Sequence, residues 1–134
     1  MQLVFGHDKT IAEWAAHNLG IEISPPFVAI GVADGQGLRG GIVYNHYNGF
    51  DIEMSAYGPG CMTRGVIRSA LAYPFDQLGV LRVSAQTRRD NKAMREILPR
   101  LGFKFEGVRE RHYGPNRRDD AFLFGLMREH NKWR

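Results

Sequence analysis

Apolar residues recur at helical spacing in three stretches of the chain and alternate or run together in seven others. Ile11, Trp14, Ala15 and Leu19 predict a helix over Thr10–Leu19, with Asp8 or Thr10 as cap and Gly20 as stop. Val66, Ile67, Ala70, Leu71 and Phe75 predict a second over Thr63–Gln77, its last turn disturbed by Pro74 and ended by Gly79. Ala93, Met94, Ile97, Leu98 and Leu101 predict a third, capped by Asp90 or Asn91 and closed by Gly102, with Pro99 a local conflict. These stripes read as core.

The strand readings are Gln2–Phe5, Phe27–Ala33, Gly40–Tyr47, Phe50–Ala56, Val80–Ala85, Phe103–Arg109 and Ala121–Met127. Asp34-Gly35-Gln36-Gly37 and Asn48-Gly49 mark hairpin turns. In the fourth strand Phe50, Ile52 and Met54 fall on one face and Asp51, Glu53 and Ser55 on the other. The order β-α-β-β-β-α-β-α-β-β gives three hairpin-linked strands, a β-α-β crossover and a closing hairpin, hence an α/β fold with a mixed sheet. Nothing divides residues 1–134, so a single domain is expected.

Composition changes this picture in two places. A lone cysteine, Cys61, excludes an internal disulfide and, with no apolar run of membrane-spanning length, points to a soluble cytoplasmic protein. The net charge of +4 is uneven: Arg82–Arg118 holds eleven basic residues against four acidic ones. Such a segment suits an anionic partner or is simply a solvated face. A nucleic-acid module fits poorly, because the segment lacks the interleaved exposed aromatics of single-strand binders. The five histidines show no metal-ligand spacing, so no metal is expected.

The junction most suited to chemistry is the strand Phe50–Ala56, the loop Tyr57–Met62 and the helix from Thr63. Gly58 and Gly60 would let backbone approach a ligand, and free N–H groups at a helix start face anions. Arg64 and Arg68 add charge nearby.

The series Asn91 … Leu101-Gly102-Phe103 … Glu106-Gly107 … Asp120, with matching spacing over residues 50–127, resembles the GNAT superfamily of N-acetyltransferases. It looks most like the ribosomal-protein N-terminal acetyltransferase branch and small phage-encoded acetyltransferases. The resemblance implies a splayed central sheet that takes acetyl-coenzyme A in the opening, beside the backbone of the fourth strand (Ser55, Ala56). It places the pyrophosphate at the N–H groups of Cys61, Met62, Thr63, Arg64 and Gly65, and makes Asn91 a cofactor contact as well as a cap. The loop Pro59-Gly60-Cys61-Met62-Thr63-Arg64-Gly65 departs from the family's usual pattern.

The implied reaction is direct transfer of an acetyl group to an amine, on a small molecule or a protein N-terminus. The family's usual acid, a tyrosine, corresponds to Leu98 here. Glu53 is then the candidate base, and Tyr57, Ser84 and Tyr113 are candidates for the acid. The absent tyrosine also raises the alternative of a non-catalytic acyl-coenzyme A binder. The basic loop Arg109–Arg118 suggests an acceptor that is anionic apart from its amine. A homodimer is compatible with the sequence but not required by it.

Overall fold

The structure, a computed structural model, describes all residues, 1–134. Seven strands form one sheet: β1 (Gln2–Val4), β2 (Phe27–Asp34), β3 (Gly37–Asn45), β4 (Asp51–Tyr57), β5 (Arg82–Arg88), β6 (Lys104–Arg109) and β7 (Ala121–Met127). Their spatial order is β1-β2-β3-β4-β5-β7-β6, and only the β4–β5 neighbours are parallel. Three helices cover it: α1 (Asp8–Leu19), α2 (Arg64–Ala72) and α3 (Lys92–Leu101). None is long and apolar enough to cross a membrane.

Element order agrees with the sequence reading, and the boundary shifts have local causes. Helix α1 starts at Asp8, and its N-cap is His7 without a side-chain cap bond. Asp8 is occupied elsewhere, its carboxylate accepting the Ala29 N–H of β2 at 3.1 Å. Strand β4 starts at Asp51 because the Asn48 side chain accepts the N–H groups of Phe50 and Asp51 and turns the chain; Phe50 is left 67% exposed. The second helix ends as α at Ala72 and continues as one π turn over Tyr73–Gln77. Pro74 has no N–H to offer an α ladder, and the wider turn carries the chain past it. Pro99 sits exposed in the last turn of α3, where its missing donor costs one helical bond at an end that Gly102 closes in αL.

One core lies between the sheet and α2–α3, where Tyr44, Ile52 and Met54 meet Ile67, Leu71, Leu98 and Phe103. A smaller one on the opposite face packs Ile11, Ala12 and Ala15 of α1 on Ala29 and Val43. Each fully buried Leu or Ile contributes about 1.5–3 kcal/mol by leaving water. The α3 stripe departs from expectation. Only Leu98 is buried, while Ala93 is exposed and Met94 and Ile97 are half-buried. The rest of that face lines an opening in the sheet.

That opening follows from strand pairing. β4 and β5 are partnered over three residues only, Asp51–Glu53 with Arg82–Ser84. Beyond them β4 stays on β3 as far as Tyr57↔Gly41, and β5 stays on β7 as far as Arg88↔Ala121. Two strands that each keep their outer neighbour while losing one another must splay.

Candidate active site

The splay opens on one side into a groove of about 620 Å³ between the C-terminal end of α1 (His17–Gly20), the end of β4 (Ala56, Tyr57) and α3. Asn91, Ala93, Met94 and Ile97 form the α3 wall. Asn91 caps α3, its carbonyl accepting the Met94 N–H at 3.2 Å. Ser55 and Ala56 border the gap between the strands together with Gln86 and Thr87. From Met54 onward, the β5-facing edge of β4 has no strand partner. A β-edge inside a groove can receive an extended ligand through backbone hydrogen bonds.

Downstream, Pro59–Met62 forms a 3-10 turn and Thr63 caps α2, its hydroxyl accepting the Val66 N–H at 3.3 Å. The N–H groups of Thr63, Arg64 and Gly65 belong to the turn of a helix that has no internal acceptors. Cys61 departs from its expected role. Its N–H goes to the Gly58 carbonyl at 3.1 Å, its side chain is 3% exposed, and burial pushes the thiol up to about 11. Its backbone donor and its thiol are both spent inside the fold. The glycines also act differently from the sequence reading. At Gly58, φ is +102° and an added Cβ would lie 2.4 Å from the Arg39 carbonyl oxygen. The loop is glycine-rich because it lies on the backbone of β3.

On the α1 face of the sheet a second opening of about 680 Å³ lies over the paired ends of β4 and β5. Its floor carries Glu53, half-buried, with burial raising its carboxyl above the usual range. His46 Nε2 stands 3.8 Å from that carboxylate. His46 has φ +56°, a left-handed conformation uncommon outside glycine, and leaves β3 there. Asp51, Arg82, Ser84 and Glu106 form a clasp beside Glu53. Arg82 donates to both Glu106 oxygens at 2.9 and 2.6 Å and lies 3.4 Å from Asp51. The clasp passes over Gly125 of β7, where an added Cβ would lie 2.5 Å from Glu106 Oε2.

Ser84 donates its hydroxyl to the Asp51 carboxylate at 2.8 Å and accepts from Arg82 at 3.0 Å. Its proton is committed within the clasp, which corrects the expectation that it could serve as an acid. Tyr57 lines the groove rather than this cleft and packs edge-on against Trp14, ring centroids 5.3 Å apart. Tyr113 does reach the cleft. Gln86 donates to its oxygen at 3.0 Å, leaving the phenolic proton free, and burial raises its pKa above the ordinary tyrosine value.

Tyr113 donates its N–H to the Asp119 carbonyl at 2.9 Å and lies under the Arg88 guanidinium, and two buried aspartates, Asp119 and Asp120, tie this loop to β5. Asp119 binds the Arg88 guanidinium and accepts the Asn116 N–H at 3.0 Å. Asp120 accepts the Arg111 N–H at 2.7 Å and the Arg89 guanidinium at 3.2 Å. Arg82, Arg88 and Arg89 of the basic segment are therefore turned inward onto carboxylates. The cleft itself holds four carboxylates (Glu22, Asp51, Glu53, Glu106) and two guanidiniums (Arg82, Arg109), the reverse of the balance read from the loop. Asn45, His46 and Gln86 were missed, because nothing in spacing marks residues that meet only across strands.

No family model matches the sequence, and no curated protein is similar to it in sequence. Solved structures do match. Spermidine N-acetyltransferase SpeG from Vibrio cholerae (F149A mutant) superposes with a TM-score of 0.71 at 16% identity, over 95% of this chain and 95% of that one. The fold is that of the GNAT acetyltransferases. The ribosomal-protein-S5-alanine acetyltransferase from Vibrio fischeri gives a TM-score of 0.65 at 18% identity, covering 93% of this chain and 69% of that one. An acetyltransferase structure from T. thermophilus gives 0.65 at 20%, covering 80% of this chain and 62% of that one. The splayed β4–β5 pair foreseen from the resemblance is thus present in a chain with the GNAT fold.

Proposed function

We propose that the protein is an N-acetyltransferase, one soluble domain that moves the acetyl group of acetyl-coenzyme A to an amine within a ternary complex. The observation that carries this is the splay of β4 from β5, with a groove on one side and Glu53 and Tyr113 in a cleft on the other. The groove fits an elongated ligand with an anionic middle. It offers the open β4 edge at Ala56, with Ser55 in the adjoining gap, Met62 and Asn91 on its walls, and the α2 N-terminus at Thr63, Arg64 and Gly65 beyond. Bound there, acetyl-coenzyme A supplies a reactive thioester.

The chain's own residues then supply proton handling. Glu53, whose carboxyl burial raises above the usual range toward the amine's own, receives a proton from the acceptor amine. His46, beside it and exposed, gives that proton a path to solvent. Tyr113 keeps its proton at neutral pH and can donate it to the departing sulfur. A thiol pKa near 8.5 makes that help modest.

The excess of carboxylates in the cleft favours an acceptor that is cationic beyond its reacting amine. The structural neighbours include enzymes named for spermidine and for a ribosomal-protein alanine, and both acceptor classes belong in the test. Calorimetry should give saturable acetyl-coenzyme A binding, and thiol release should appear with at least one of spermidine, putrescine, alanine amide or an alanine-initiated peptide. Binding without turnover on any amine would support the non-catalytic binder; no binding by folded protein would end both readings.

A further inference from the structure

Two openings meet at the end of β3. Asn45 and His46 line the acceptor cleft and also a neighbouring hollow of about 330 Å³. His46 Nε2 stands 3.8 Å from the Glu53 carboxylate, so the hollow begins one side chain away from the proposed base. Asn45 is fixed in the shared wall, buried and donating its amide to the Ser24 carbonyl at 3.1 Å. The hollow differs from the cleft in its chemistry. Phe27, Val28, Tyr47, Ile52, Tyr73 and Leu78 surround it, and no lysine, arginine, aspartate or glutamate does. Tyr44, buried beneath, spends its hydroxyl on the Ala70 carbonyl at 2.5 Å and meets the Tyr73 ring edge-on, centroids 5.0 Å apart. Val28 and Tyr47 are left 38% and 54% exposed. This part of the sheet is open because β1 covers β2 only from Gly31 to Ala33.

Exposed apolar side chains gathered around a concave site mark a place where a ligand group leaves water. The volume lies at the small end of ligand sites, enough for a ring or a branched alkyl group. Continuity with the cleft says what that group is attached to. A molecule with its nitrogen at Glu53 enters the hollow by passing His46, while its charge stays over the cleft carboxylates. We propose that the hollow seats an apolar arm of the amine acceptor, aryl or branched alkyl, carried a few bonds from the reacting nitrogen. This rests on the acetyl-transfer reading and adds an apolar part to the cationic one. The division follows from solvation. An ammonium pays heavily to leave water for an apolar site and stays among the carboxylates, whereas an apolar arm gains by leaving water, and the aromatic walls add edge-on contacts. The arm makes and breaks no bond. Its contribution is the same in the ground state and the transition state, so it lowers KM more than it raises kcat.

The test measures calorimetric Kd and steady-state kcat and KM for two matched pairs, butylamine with 4-phenylbutylamine and alanine amide with phenylalanine amide. In wild type the aryl member of at least one pair should bind about 10-fold tighter, with KM lowered and kcat little changed. Val28→Trp fills the hollow from an exposed position on β2 and should bring that ratio near one. Tyr47→Asp, also at an exposed position, puts a charge in the wall and should do the same, and it replaces Val28→Trp should that variant lack a cooperative thermal melt. Equal affinity within both pairs, or an aryl preference that persists in the folded variants, would overturn the proposal, and turnover of putrescine or alanine amide by the same protein would leave acetyl transfer standing. A wild-type dimer that Val28→Trp converts to a monomer would give the hollow to a second copy of the chain and overturn the proposal as well. Aryl-selective binding without turnover of any amine would remove the proposal together with acetyl transfer.

Discussion

The two ends of the β4–β5 pair are made from the same strands and behave oppositely. At one end Asp51 and Glu53 face Arg82 and Ser84 in parallel register, and a clasp of two carboxylates, one guanidinium and one hydroxyl ties β4, β5 and β6 together. At the other end Ser55 and Ala56 face Gln86 and Thr87 across a gap bordered by Leu19, Met94 and Leu98. A cluster of paired charges thus marks the closed end, whereas at the open end apolar residues share the border with Gln86, Arg88 and Asn91. The clasp holds the strands together where their backbones pair, and the outer neighbours β3 and β7 pull them apart beyond it.

Substitutions at the two ends should therefore have separable effects. Glu53→Gln acts at the closed end and should lower turnover at neutral pH by ~100-fold, with the gap narrowing at high pH where the amine is already neutral. A pH–rate profile checks this, and a flat ratio across pH would remove Glu53 as base. The same variant should be no less stable at neutral pH. Burial raises the Glu53 pKa, so its ionised form disfavours the fold above that pKa, and the cost disappears as the group protonates in acid.

Ala93→Trp acts at the open end. Position 93 is exposed, so the fold should tolerate it, and the indole would fill the groove. Acetyl-coenzyme A affinity should fall about 10-fold by calorimetry, roughly the effect of obstructing part of an apolar contact. Unchanged affinity would move the cofactor out of this groove. Tyr113→Phe should lower kcat about 10-fold, below the usual range for acid catalysis because a thiolate leaves readily, with the acetyl-coenzyme A KM unchanged. Equal loss in kcat and affinity would make Tyr113 a wall and not an acid.

Gly125→Val tests the clasp. The new side chain occupies the space where Glu106 and Arg82 meet. Loss of a partly exposed pair should cost ~1 kcal/mol, which a thermal melt would read as a few degrees. The smallest effect belongs to the loop. Asp119, Asp120 and Glu106 have pKa values lowered, through hydrogen bonds to Asn116 N–H, Arg111 N–H and Arg82 respectively. Their stabilisation is complete above ordinary carboxylate pKa values and is lost as pH falls through the lowered ones, so Tm should drop below about pH 4. Asp119→Asn should flatten the part of that drop due to Asp119, and an unchanged profile would assign the acid transition elsewhere.

The sequence by itself determined the element order, the two glycine-ended helices α1 and α3, a cap for α3 at Asp90 or Asn91 and the hairpin at Gly35-Gln36, because each follows from signals within a few residues. It also brought Glu53 forward through the alternation of β4 and a motif series. Tertiary structure decided what those residues do. Asp8 reads as a cap until β2 offers it the Ala29 N–H. Cys61 stands in the expected anion loop, yet its donor is used by Gly58. The basic segment suggests an anionic partner until Arg82, Arg88 and Arg89 meet carboxylates from distant positions. Asn45 carries no motif at all, and its unpaired oxygen exists only because β3 sets it opposite Glu53 and Ser24 takes its nitrogen. Local pattern specifies backbone conformation over a few residues, whereas a side chain's charge, proton and free valence are settled by partners dozens of residues away.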